Sequence, residues 1–142
     1  MIRKAPNWKT ITAGLAIGIA SMISPALAQD PVAGQQEFRD HCAACHGLEG
    51  RGDGPIGEHL KTPPPNLAAI SDRHGGKFPF RKIYDIIDGS AVVSAHGTRD
   101  MPLWGDRYLR DAKPVTPDQV EITRQMVEQR ILSLVYYIGT LQ

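Results

Sequence analysis

Only two cysteines occur in this 142-residue sequence, and beyond its first thirty positions no stretch is apolar enough to cross a bilayer. Two cysteines, spaced as one close pair, cannot build a structural zinc site of the usual kind, which takes four ligands from two such pairs. The glycine-rich run 47–57 lacks the Gly-Lys-Ser or Gly-Lys-Thr ending of a phosphate loop. No paired carboxylates and no nucleophile beside a base emerge from the pattern, so nothing calls for a hydrolytic reaction. Nor is there a basic stripe. The 16 lysines and arginines are scattered against 15 acidic residues, which argues against a nucleic-acid partner.

What is present begins with an address. Arg3, Lys4 and Lys9 form a basic head without an acidic residue, and an apolar run from Ile11 to Ile23 follows. Those 13 residues are too few for a membrane-spanning helix, which needs roughly 20, but suit a secretory signal. The run breaks at Ser24-Pro25, and the small-x-small triplet Ala26-Leu27-Ala28 places cleavage after Ala28. The expected organisation is a cleaved signal at 1–28 and one domain at 29–142, exported to the periplasm. An uncleaved membrane anchor is the alternative. The three cations of the signal leave 13 basic against 15 acidic side chains in the mature part, close to −2.

Two cysteines in an exported chain normally suggest a disulfide. Here they fall in Cys42-Ala43-Ala44-Cys45-His46, a CxxCH sequence and the attachment signature of c-type haem. Each thiol adds across one vinyl group, and the adjacent imidazole reaches the iron from one side. Covalent attachment prevents loss outside the cell, and imidazole is a suitable ligand for iron. A single CxxCH means a single haem, and its two propionates would bring the mature charge to about −4. A thioredoxin-like redox pair is the weaker reading, since no β-branched strand precedes Cys42. A short-loop disulfide between Cys42 and Cys45 is the other alternative.

A sixth ligand decides whether the iron only carries electrons or also binds molecules. Candidates are Met101, Met126, His96, His74, His59 and His41. Met101 is favoured: it follows the loop-like stretch 94–100, and Pro102 pushes it toward extended geometry. His96 is the rival, and Met126 sits within a helical pattern. A soft thioether would favour ferrous iron.

Around these ligands the pattern predicts helices at 31–41, 79–88 and 118–140. The last carries an apolar stripe of Val120, Val127, Ile131, Leu134 and Ile138. Thr116 or Asp118 can cap it, Pro117 suits its first position, and Gly89 ends the middle helix. Five glycines within 47–57, then Pro63-Pro64-Pro65, predict a wrapping loop rather than a sheet.

Taken together, Gly34-x-x-x-Phe38, CxxCH, Gly52-Asp53-Gly54-Pro55, Met101-Pro102 and Leu134-x-x-Tyr137-Ile138 resemble the class I cytochrome c family in its bacterial monohaem branch, over residues 32–141. The resemblance implies an all-α fold of at least three helices around one covalent haem c, with long wrapping loops. It implies Cys42 and Cys45 as attachment points, His46 and Met101 as axial ligands, and a crossing of Gly34 and Phe38 against Leu134 and Tyr137. It also implies a proline carbonyl on the free nitrogen of His46, for which Pro55 is the expected match. The function implied is one-electron transfer between redox protein partners, without substrate turnover, by a free shuttle. The alternative is a cytochrome subunit in a larger dehydrogenase or oxidase complex; a gas-binding or catalytic haem protein is the weakest reading. Residues 103–117 are longer than a minimal connection and are a candidate docking element. Trp104 within them either covers a propionate edge or anchors a loop. Lys77, Arg81 and Arg99 are candidate propionate partners, although a solvated role is favoured for each. Asp53 and Glu49 read as surface acids.

Overall fold

The computed structural model describes residues 30–91 and 101–142. The expected signal at 1–28, together with His96 and Arg99, lies outside the described residues. Those residues are helical with connecting loops, and no strand occurs among them. The all-α expectation holds.

Five α-helices form among the described residues: α1 (Pro31–His41), α2 (Ala43–His46), α3 (Phe80–Asp88), α4 (Trp104–Ala112) and α5 (Pro117–Thr140). Local signals set most of their ends. Asp30 caps α1, its carboxylate accepting from the Val32 N–H at 2.8 Å, with proline in the first turn. At α5 the Thr116 hydroxyl accepts from the Gln119 N–H while the Gln119 side chain accepts from the Thr116 N–H, a reciprocal capping box. Gly89 ends α3 in the left-handed region at φ 99°. The three expected helices thus appear within a residue or so of their predicted bounds.

The fourth substantial helix is a correction. Residues 103–117, read from sequence as a long connection before the last helix, hold the helix Trp104–Ala112. No side chain caps its start, so the usual entry signal is missing. Trp104 and Tyr108, one turn apart and both buried, are its packing face.

The core lies where α1 crosses α5. Gly34 permits the crossing: a Cβ there would stand 2.1 Å from the carbonyl oxygen of Ser133 and 3.0 Å from Cβ of Tyr137. One turn on, Phe38 is fully buried, with its ring 5.4 Å from that of Tyr137. Ile131, Leu134, Val135 and Ile138 complete the contact from α5. Burying each such side chain contributes roughly 1.5–3 kcal/mol. Of the implied crossing, Gly34 and Phe38 both meet Tyr137, and Leu134 is fully buried in the same core cluster. Because α1 runs directly into Cys42, this crossing also fixes where the CxxCH segment stands.

Candidate functional site

The CxxCH segment is the single turn α2 and the residue that enters it. The glycine-rich loop folds back over its end. The Gly52 N–H donates to the His46 carbonyl at 2.7 Å, Gly54 to Cys45 at 3.2 Å and Ile56 to Ala44 at 2.9 Å. These bonds satisfy carbonyls that the short helix leaves open. Gly54 has to be glycine for steric reasons, since a Cβ would lie 2.5 Å from the Ala44 carbonyl oxygen and 2.6 Å from that of Ala43. The loop therefore wraps the segment by backbone contact and, as expected of 47–57, forms no sheet.

His46 is buried, and its Nδ1 lies 3.3 Å from the carbonyl oxygen of Pro65. A carbonyl can only accept, so Nδ1 carries the proton and Nε2 keeps the lone pair. Burial pushes the pKa of His46 below its ordinary value, with the Pro65 bond acting in the opposite direction. The imidazole is thus neutral at neutral pH, the form a metal requires. Pro55, the expected partner, is instead exposed in the turn over α2. The carbonyl comes from the proline run, which passes beside the His46 ring.

Cys42 is buried and Cys45 half-buried, and both are free thiols. Burial first, then the charges of Glu37 and Cys45, raise the Cys42 thiol to about 12. That shift disfavours the thiolate at Cys42, the form an attacking redox thiol needs.

Cys42, His46 and Met101 line one cavity of about 240 Å³. Its walls are apolar, from Ile70 after the proline loop, Ile83 and Ile87 of α3, Trp104 of α4, and Leu134 and Ile138 of α5. The fold thereby brings three of the four predicted site residues to one apolar space; Cys45 is not among the lining residues. A larger cavity of about 380 Å³ lies between α3, α4 and α5, lined by Tyr84, Asp88, Asp106, Arg124 and Glu128 among others. It offers no cysteine, histidine or methionine, so size is a poor guide to the site here. The described residues contain no group of three or more His, Cys, Asp or Glu that could hold a metal ion in another way.

The remaining ligand candidates separate cleanly. Met126 is 67% exposed on α5 and His59 lies on the surface. His41 faces Glu37 and Arg130, with its Nε2 3.4 Å and 3.2 Å from them. His74 does line the cavity, but its Nδ1 lies 2.9 Å from the Ile70 carbonyl oxygen and its Nε2 3.2 Å from Nζ of Lys82. Trp104 is buried at the cavity wall rather than anchoring a loop, stacked 5.3 Å from both His41 and Tyr108. Arg81 is spent on Asp85 at 2.8 Å, and Lys77 lies on the surface. The cations that line the cavity are Arg73 and Lys82, which sequence reasoning missed. Lys82 sits next to Arg81, and only the helix register separates the one that faces the cavity from the one that does not.

The donor set and walls fit a covalently attached haem: the Cys42 thiol at the cavity and the Cys45 thiol one helical turn on, a neutral imidazole with a fixed tautomer, a thioether, and apolar side chains that exclude water. Comparison with known proteins points the same way. The sequence model of the family described as Cytochrome c matches residues 31–142. No curated protein and no solved structure matches the chain.

Proposed function

The chain belongs to the cytochrome c family, and from that premise we propose that it is an exported monohaem electron carrier of the class I bacterial branch. In this reading Cys42 and Cys45 hold one haem c by thioethers, and His46 and Met101 are its axial ligands. The observation that carries the reading is the convergence of Cys42, His46 and Met101 on one apolar cavity.

When bound, haem c supplies reversible one-electron chemistry at iron. The protein's own residues do the rest. The Pro65 carbonyl orients the His46 ring and raises its donor strength. Ile87, Leu134 and Ile138 would keep water from the centre, and Arg73 and Lys82, which line the same cavity, would supply cations to the propionates. Cleavage of 1–28 would release the domain into the periplasm, and no helix among the described residues is long and apolar enough to cross a membrane. Partner contact is then small and transient, as suits a shuttle between two redox proteins. A second reading, a subunit of a larger oxidoreductase complex, is favoured by one observation. Val115, Ile122 and Met126 are 84%, 59% and 67% exposed along α5 and its entry, apolar side chains that a stable partner would cover.

The test is the mass, iron content and spectrum of the secreted protein. One covalent haem, one iron per chain, an N-terminus at Gln29 and a ferric sulfur-to-iron absorption band lost in M101A are expected. Absence of covalent haem overturns the proposal. Persistent co-purification with larger redox proteins replaces the shuttle by the complex subunit.

A further inference from the structure

Glu37 is a buried carboxylate on α1, only 8% exposed. Three neighbours from three helices surround it. The Tyr108 hydroxyl of α4 donates to Oε1 and the Arg130 Nε–H of α5 donates to Oε2, and Nε2 of His41 lies 3.4 Å from Oε1. The Arg130 guanidinium also lies 4.0 Å from the centre of the Tyr108 ring. A buried carboxylate is tolerated only with such partners, so the cluster is strongly directional.

Its effect reaches the haem cavity through α4. That helix has nine residues and no side-chain cap at its start, too short to persist without tertiary support. Tyr108 is its polar tie to α1. One turn before Tyr108 comes Trp104, a wall of the cavity, and three residues before that comes Met101, which lines the same space. Arg107 stacks on the outer side of Trp104 at 5.0 Å.

We propose that Glu37 is a positioning residue for axial ligation: by holding the Tyr108 hydroxyl it seats α4, and so keeps Trp104 and Met101 against the haem. The proposal rests on the reading of Met101 as the sixth ligand. Glu37 touches neither iron nor thioether and acts through the helix. It also explains why a chain with a longer connection before its last helix folds that connection into α4 instead of leaving it as a loop.

The experiment compares the ferric holoprotein with Y108F, E37A, E37Q and M101A. Readouts are the sulfur-to-iron band, the concentration of imidazole that displaces the thioether, and helix content by far-UV circular dichroism. Y108F removes one hydroxyl and leaves the Glu37–Arg130 pair, so its fold survives. Displacement should then need about tenfold less imidazole, with helix content near wild type, since an unseated α4 weakens the competing ligand. E37A should lose most of the band, whereas E37Q, whose amide oxygen still accepts from Tyr108, should recover it. Should E37A fail to accumulate, Y108F alone decides. If Y108F keeps the band and binds imidazole within about twofold of wild type, Glu37 has no positioning role. M101A losing the band while Y108F retains it refutes only this proposal; a wild type without the band refutes the Met101 reading and the proposal with it.

Discussion

Replacing Gly34 with alanine tests the crossing on which the haem-binding segment depends. The added Cβ would meet Ser133 at 2.1 Å from its carbonyl oxygen and 2.6 Å from its carbonyl carbon. Relaxed carbon-to-oxygen contacts need about 3.3 Å or more, so α1 and α5 must part by about 1 Å. No rotamer change can absorb this, because the obstacle is backbone. A gap of that size forfeits a quarter to a half of the dispersion energy of the contacts it opens, that of Phe38 with Tyr137 among them. Overpacking of this kind costs about 1–3 kcal/mol, and the better helix propensity of alanine returns at most about 1 kcal/mol. A rigid obstacle places the cost at the upper end, so the net loss is about 2 kcal/mol. For a domain of this size that lowers Tm by about 10 °C. Thermal unfolding of the holoprotein, followed by far-UV circular dichroism, measures it. An unchanged or higher Tm, which helix propensity alone would give, refutes the packing argument.

The Gly54→Ala variant drives a Cβ into the carbonyls of Ala43 and Ala44; it should lower Tm and the yield of haem-loaded protein together, and a wild-type yield would show that the loop does not brace the haem segment. Burial, then the hydrogen bond and charge of Glu37, push the Tyr108 phenol well above its ordinary value near 10. The folded pKa exceeds the unfolded one, so this contribution to stability is complete below pH 10 and is lost as the pH rises from there through the folded value. Ultraviolet titration should show a phenol that stays protonated well above pH 10, absent in Y108F; identical curves would contradict the buried contact. His46→Ala should leave the thioethers but abolish the low-spin spectrum, restorable with added imidazole, and a retained low-spin spectrum would assign the proximal ligand elsewhere. Phe38→Ala should cost about 3–5 kcal/mol, read from the denaturant midpoint; a loss under about 1 kcal/mol would mean that the α1–α5 contact closes over the cavity.

Much of the fold could be read from the chain because its signals are local. The stripe on α5, the Thr116–Gln119 capping box and the Gly89 stop each lie within a few residues, so their outcome depends little on distant chain. The helix α4 escaped because its evidence is weak locally: Leu103 cannot cap, and two aromatic residues one turn apart suit a loop anchor as well as a helix face. With hindsight, Arg107 and Asp111 at helical spacing were a further signal, and they pair at 3.7 Å. The Pro65 contact could not have been found by residue type. Its acceptor is a main-chain carbonyl, and every residue of the loop has one.

The sequence by itself carried the proposed chemistry: the attachment points and first axial ligand of the proposal are all read from CxxCH, because adjacent positions need no tertiary structure to be brought together. Helix ends and the small-large pair Gly34 and Phe38 were likewise written in local pattern. Only the tertiary structure decided which proline orients His46, that Arg73 and Lys82 rather than Lys77 and Arg81 line the cavity, and that Glu37 binds Tyr108 and Arg130, 71 and 93 residues along the chain. Such contacts depend on how far the helices approach and how they are rotated, and that is settled by packing summed over the whole core rather than by any single residue.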